Sequence, residues 1–400
     1  MSTVTLIPRH EHGNRFVTFA FSLFMVIIFV ISTGTEVYGE RKLPVIVITV
    51  DVESTSQENS PLPLTQQVDA VCIGKMPCGL QEMVNILKKR GYAATFFLNV
   101  FEYAQYGEAF LERTGKWLHD SGQDVQLHTH PQWRYDRSRT MMYQYTLEEQ
   151  VKMIRDGKRL LEKWTGARVI AHRAGSYSAD ENTLKALVAN NILIDSSLFY
   201  GVPDSRINSL GLNKNAMSKY GPLYEFPVTV YKKNEYLFFT GDPLRPQSSI
   251  RKYDINWFRD QEEAESAIRE AVRLKMEFII LFLHSFSFIK GQSGAQMIAD
   301  ENAIGRFDRV LEFISTQGME VSTFDDVANG KLNWAALPLD GQDVVPEISQ
   351  RIPLIQYIRK MVGINRHNYK SVIFYCTLFL ASVALAATIV AKRRMNRNAR

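Results

Sequence analysis

Two histidines one residue apart, His128 and His130, close a short apolar run through Val125 and Leu127. If the backbone there is extended, alternate side chains share a face, so both imidazoles point the same way. Imidazole is the commonest metal-binding side chain, and two on one side of a strand end make half of a metal site. Taken alone, such a pair is more often two half-exposed strand histidines. The metal reading therefore depends on whether the chain supplies carboxylates and a proton donor. Asp51 and Glu53 have the same spacing after another apolar run. With His128 and His130 they could form a histidine/carboxylate zinc site with an open position for water, and a carboxylate left off the metal can take that water's proton. A plainer alternative has Glu53 capping a turn while only Asp51 does chemistry.

Three more groups fit such a centre. His284 ends the strand-like run Ile279–Leu283 and could hand a proton to a leaving amine. Arg173 follows a further strand pattern; its permanently charged fork could hold Asp51 ionised and oriented. After it, Ala174 and Gly175 leave room for a ligand to approach the backbone, and Tyr177 could line the cleft. Trp133, just past the histidines, could stack on a sugar ring.

The elements that must position these groups alternate regularly. Strand patterns are read at 43–50, 94–100, 124–128, 168–172, 191–195, 224–229, 278–284 and near Val321. Helical spacing is read at 80–90, with Gly91 as its stop, and at 147–164, 180–190, 262–274 and 303–316. Such alternation predicts an α/β fold, a closed or distorted (β/α) barrel of about seven strands. In that architecture function gathers at the C-terminal strand ends, where Asp51, Glu53, His128, His130, Arg173 and His284 all fall.

The 400 residues carry a net charge of +5, unevenly placed. Residues 392–400 contribute +5 and residues 1–15 contribute +1, which leaves −1 for the 376 residues between. That balance argues against nucleic acid as a partner. The basic ends instead flank two uncharged apolar stretches. Residues 371–391 are long enough to span a bilayer, with 392–400 as a cytoplasmic tail. Residues 16–34 read either as a signal anchor behind a cytoplasmic segment 1–15 or as a cleaved signal peptide. Either way the chain between is expected outside the cytoplasm, tethered to the cell membrane, with the proline-punctuated 336–368 as a juxtamembrane linker. In that oxidising setting Cys72 and Cys78 are expected to pair, while Cys376 lies within the second span.

In this order, Thr49-Val50-Asp51-Val52-Glu53, His128-Thr129-His130-Pro131, Arg173-Ala174-Gly175-Ser176-Tyr177 and Leu281–His284 resemble the polysaccharide deacetylase family and its NodB-type domain. The resemblance covers about residues 43–330. It implies a distorted (β/α) barrel that hydrolyses N-acetyl, sometimes O-acetyl, groups on glycans with a divalent metal such as zinc. It also implies Asp51 as base, Arg173 as its partner and His284 as acid. The family's first motif is usually Thr-Phe-Asp-Asp, with the second Asp on the metal. Here Val52 stands at that position, and Glu53 substitutes as in Asp-x-Asp relatives. The family usually places three residues between its metal histidines. Here one intervenes before His130, or Gln132 has replaced the second ligand. No counterpart of the fourth motif is evident; 225–229 lies where it would fall. Two other readings remain open: a metal-independent amidohydrolase of the same fold, and a catalytically silent glycan-binding or assembly protein.

Overall fold

The computed structural model describes residues 43–55, 63–72, 76–237, 247–293, 296–330 and 343–352. Both predicted membrane spans, the two terminal segments and most of the predicted linker lie outside these residues. Among the described residues no helix is long and apolar enough to cross a membrane.

The continuous β-branched run at the start becomes the central strand β1, Val45–Val52, buried along almost its whole length. Parallel neighbours follow in sequence order: β2 (Thr95–Asn99), β3 (Asp124–Thr129), β4 (Ala171–Ala174) and β5 (Ile194–Asp195). The hairpin of β6 (Ser218–Tyr220) and β7 (Leu223–Glu225) continues the sheet through β7. Beyond it come β8 (Val230–Leu237), β9 (Gln247–Lys252), β10 (Phe278–His284), β11 (Val321–Ser322) and β12 (Glu347–Ile352). β10 pairs with the other edge of β1, and β11 joins β1 at Ile46 and Val47. The resulting nine-stranded sheet curls into a half-barrel.

Of the closed and distorted alternatives the sheet takes the distorted one, since among the described residues the strand path is open between β10 and β6. Irregular backbone covers the outer edge of β10 instead. Phe282 N–H donates to Tyr253 O at 2.7 Å, and Ile280 N–H donates to Thr229 Oγ1 at 2.8 Å. The predicted strand at 224–229 is therefore only half a strand: it ends at Glu225, and Thr229 acts through its side chain.

Helices α1 (Leu80–Arg90), α2 (Glu108–Asp120), α3 (Leu147–Thr165), α4 (Glu181–Ala189), α5 (Gln261–Arg273) and α6 (Glu301–Thr316) alternate with these strands. α1 stops where Gly91 takes a left-handed φ of 73°, which a side chain would disfavour. α3 begins with a capping box in which Thr146 and Glu149 satisfy each other's backbone N–H groups.

Sequence periodicity did not reveal α2 or a second sheet, β9–β8–β12. β12 lies within the segment expected to be linker, yet it pairs with β8 from Lys232 to Leu237. The strand β8 is masked in sequence by its polar residues. Tyr231, Lys233 and Asn234 among them are buried: Lys233 reaches Glu263 on α5 at 2.8 Å, and Tyr231 donates to the same carboxylate at 2.8 Å. Cys72 and Cys78 are joined by a disulfide, on a small sheet with Gln296–Ala299.

Candidate active site

Parallel register sets the site. Asp51 lies opposite His284 on one side of β1, while His128 lies opposite Asn99 and Arg173 on its two neighbours. These pairings bring the C-terminal ends of β1, β3, β4 and β10 to one level.

Arg173 is fully buried and reaches across the hollow of the curled sheet. Its Nη1 donates to Asp51 Oδ1 at 2.7 Å and to Thr49 Oγ1 at 3.1 Å. Nε and Nη2 donate to Ser196 O and Ser196 Oγ at 3.0 and 2.9 Å. Its guanidinium lies over Phe97 at 4.4 Å and over Phe282 at 5.0 Å. Such confinement leaves the fork a single orientation.

His128 Nδ1 sits 2.9 Å from the carbonyl oxygen of Arg173. A carbonyl only accepts, so Nδ1 carries the hydrogen, and the neutral ring presents a lone pair at Nε2. That lone pair faces Glu53 Oε2 at 3.1 Å, with Asp51 Oδ2 4.0 Å away. His130 Nε2 closes on the same Glu53 oxygen without an aligned hydrogen bond. Ligand atoms of Glu53, His128 and His130 all lie within 4.8 Å of one another.

Acceptors crowded around one point require positive charge between them. One carboxylate with two imidazole nitrogens is a donor set that suits zinc. Burial opposes charge on His128, but Asp51 and Glu53 prevail and raise its pKa. Burial likewise opposes charge on Glu53, yet His130 and His128 hold its carboxyl well below the usual range.

His284 lies 3.8 Å from Glu53 Oε1 through Nε2 and stacks on Phe286 with centroids 4.6 Å apart. Burial, then the nearby Lys252 ammonium, push its pKa down. Tyr177 packs edge-on to Phe199 and near Phe282. Ser176 and Tyr177 both have left-handed φ, 52° and 56°, a conformation that costs a non-glycine residue about 1–3 kcal/mol and collects at functional sites. Trp133 is half-buried against Tyr106, at 6.0 Å between centroids, and packs on the main core.

One sequence expectation changes here. The space beside Gly175 does not await a ligand, since the His130 ring occupies it. Residues 225–229 do not enter the centre: Glu225 Oε1 accepts from Leu198 N–H at 2.8 Å, away from the histidines. Burial and then Asp195 raise the Glu225 carboxyl well above its ordinary pKa. Asp195 also meets His172, whose other nitrogen is 2.9 Å from Thr129 Oγ1, so a buried polar chain backs β3.

Sequence reading missed Lys252 and Asn99. The Lys252 ammonium is buried, 3.0 Å from both Tyr177 Oη and Asp254 Oδ2 and 3.5 Å from the Phe282 ring centroid. It sits on β9 of the undetected sheet, and no local pattern marks it. Asn99 accepts from His130 N–H at 3.3 Å and donates to Glu102 at 3.0 Å. As a polar residue ending an apolar strand, it carried the same signal as the other site residues.

Residues 44–192 match the sequence model of the family described as polysaccharide deacetylase. No curated protein matches the chain. Among solved structures it is similar to a candidate polysaccharide deacetylase from Mycobacterium smegmatis, at 16% identity over 78% of this chain and 96% of that one, with a TM-score of 0.47. It is also similar to a family 4 carbohydrate esterase from Streptomyces lividans (12% identity, 76% and 98% coverage, TM-score 0.36). A third similar structure is a peptidoglycan N-acetylglucosamine deacetylase (12% identity, 72% and 89% coverage, TM-score 0.37).

Proposed function

The chain carries a domain of the polysaccharide deacetylase family, and on that premise we propose that it hydrolyses acetyl groups, N-acetyl above all, on a glycan outside the cytoplasm. The observation that carries this reading is the convergence of Glu53, His128 and His130 beside the Arg173–Asp51 pair and His284.

Glu53, His128 and His130 would hold a divalent cation, with zinc the best match to one carboxylate and two imidazoles. A cation held there supplies Lewis acidity, making water more acidic and polarising a carbonyl oxygen. The remaining work falls to the chain's own groups. Arg173 occupies Asp51 Oδ1, which leaves Oδ2 on the side of the histidines as the oxygen that takes a proton from the attacking water. The water oxygen bonds to the acetyl carbon, and the carbon–nitrogen bond breaks. His284 gives its proton to the departing nitrogen, so the products are acetate and a free amine. Phe282 and Phe286 hold the His284 ring in place while leaving Nε2 on the Glu53 side.

The uncharged stretch 371–391 and its basic tail support anchoring in the cell membrane with the domain outside, and the Cys72–Cys78 bond supports an oxidising compartment. The enzymatic reading is tested by acetate release from N-acetylated oligosaccharides, with bound metal quantified in the same preparations. Wild type should release acetate and Asp51→Asn should not, at equal metal content. A folded, zinc-loaded protein inactive on every N-acetylated glycan tried would sink it. Protease access to the domain in intact cells, against inside-out vesicles, tests its side of the membrane.

A further inference from the structure

His130 reaches Glu53 under two constraints imposed by other residues. A Cβ placed on Gly175 would come within 2.4 Å of His130 Cδ2 and Nε2 and 2.5 Å of Cε1. Real Cβ atoms do not approach so closely, so the edge of the ring that carries the ligand nitrogen lies against a bare Cα. Gly175 is not among the glycines with left-handed φ, so its backbone suits alanine and the contact alone demands glycine.

The opposite edge of the ring meets Gln132. Pro131 starts a short 3-10 turn through Trp133 that brings the Gln132 amide back, with Nε2 3.3 Å from His130 Nδ1. Gln132 Oε1 meanwhile is buried without a hydrogen-bond partner. The two ends of an amide differ only by a half-turn. With the oxygen toward the ring, Gln132 accepts Nδ1–H and His130 keeps its lone pair at Nε2, facing Glu53. His128 already has this arrangement, its Nδ1 fixed by the Arg173 carbonyl. Metal-binding histidines generally need such a partner on the other nitrogen.

We infer that Gly175 and Gln132 are positioning residues for the cation site: Gly175 makes the room that lets His130 reach Glu53, and Gln132 sets the tautomer that leaves its Nε2 free to bind. This rests on the reading of Glu53, His128 and His130 as a cation site.

The test is zinc affinity of the full-length protein, by competition with a chromophoric chelator, together with its thermal midpoint in excess EDTA. His130→Ala should weaken zinc binding at least tenfold. Gly175→Ala and Gln132→Ala should each weaken it about 10–100-fold, the range found for groups that orient ligands. In a His130→Ala background, Gly175→Ala and Gln132→Ala should change affinity no further. The EDTA midpoint is a readout independent of metal. Gly175→Ala should lower it in the wild-type background and leave it unchanged beside His130→Ala, where the added methyl meets empty space. Should Gly175→Ala fail to fold, recovery of folding in the double variant reports the same coupling. Unchanged affinity in Gly175→Ala and Gln132→Ala, with His130→Ala weakened, overturns this inference alone, as does an equal loss in both backgrounds. Unchanged affinity in His130→Ala overturns the cation reading and this inference together.

Discussion

Arg173 and Asp51 meet through a single 2.7 Å bond, although 122 residues and two intervening strands separate them. On a flat sheet β1 and β4 would hold these side chains far apart. The curl of the sheet brings them together across its interior, so this pair reports the curvature directly. It also places a buried guanidinium beside the carboxylate proposed as the base.

Removing one member of a buried pair strands the other charge. Arg173→Met should cost about 3–5 kcal/mol of stability and abolish activity together. Asp51→Asn should be milder on stability, because Arg173 keeps its bonds to Thr49 and Ser196. It should still cut acetate release by at least about 100-fold, the usual contribution of a general base. Urea denaturation beside the acetate assay separates the two effects.

If the Glu53, His128 and His130 triad binds zinc only when folded, zinc at about 100 times its Kd adds about 2.7 kcal/mol to the unfolding free energy. His128→Ala and Glu53→Gln should erase most of that increment and leave the EDTA-treated midpoint much less affected. Denaturation with and without zinc checks it. An equal zinc effect in wild type and both variants would place the ion elsewhere.

Glu102 is fully buried next to the site, and burial raises its pKa to about 7 against the bonds it accepts from Ser54; the Glu53 charge adds to the rise. The folded pKa exceeds the unfolded one, so the folded chain holds this proton more tightly. Its contribution is complete below about pH 4.5 and is lost as pH rises through about 7, a span worth about 3 kcal/mol. Glu102→Gln should remove this slope, so that stability changes less between pH 5 and pH 8. Denaturant titrations at the two pH values measure the difference. A variant with the wild-type slope would show that Glu102 does not cause it.

His284 must carry a proton to act as the acid, yet burial and then Lys252 depress its pKa. Removing the ammonium by Lys252→Met should raise the His284 pKa and move the alkaline limb of kcat/KM to higher pH. The direction is reinforced by Asp254, which loses its 3.0 Å partner and favours an imidazolium nearby. The pH profile of kcat/KM decides this, and a limb that stays put would separate Lys252 from the proton donor. His284→Gln should eliminate that limb altogether.

Asp51, Glu53, His128, Arg173 and His284 were legible because strand ends are locally encoded. β-branched runs such as Val45–Val50 announce a buried strand, and a polar residue ending one announces the functional face of an α/β sheet. The helix stop at Gly91 and the pairing of Cys72 with Cys78 were likewise local matters. The second sheet was not legible, because its strands carry Lys232, Lys233, Asn234 and Glu235. Their polarity reads as loop until Glu263 on α5 and Glu347 on β12 are seen to pair with them.

Which groups stand at the strand ends, and which face they share, is written in the local sequence, since a two-residue alternation needs no distant information. The sequence left open whether His130 or Gln132 stands with His128 at Glu53, and it is the packing of the chain that puts the His130 ring there. The choice depends on the turn at Pro131 and on the bare Cα of Gly175 on the far side of the ring, a contact that no local spacing encodes. The same holds for Lys252 beside His284 and for the reach of Arg173 to Asp51. Each is a meeting of side chains from separate elements, set by how far the sheet curls and by what packs against its edge.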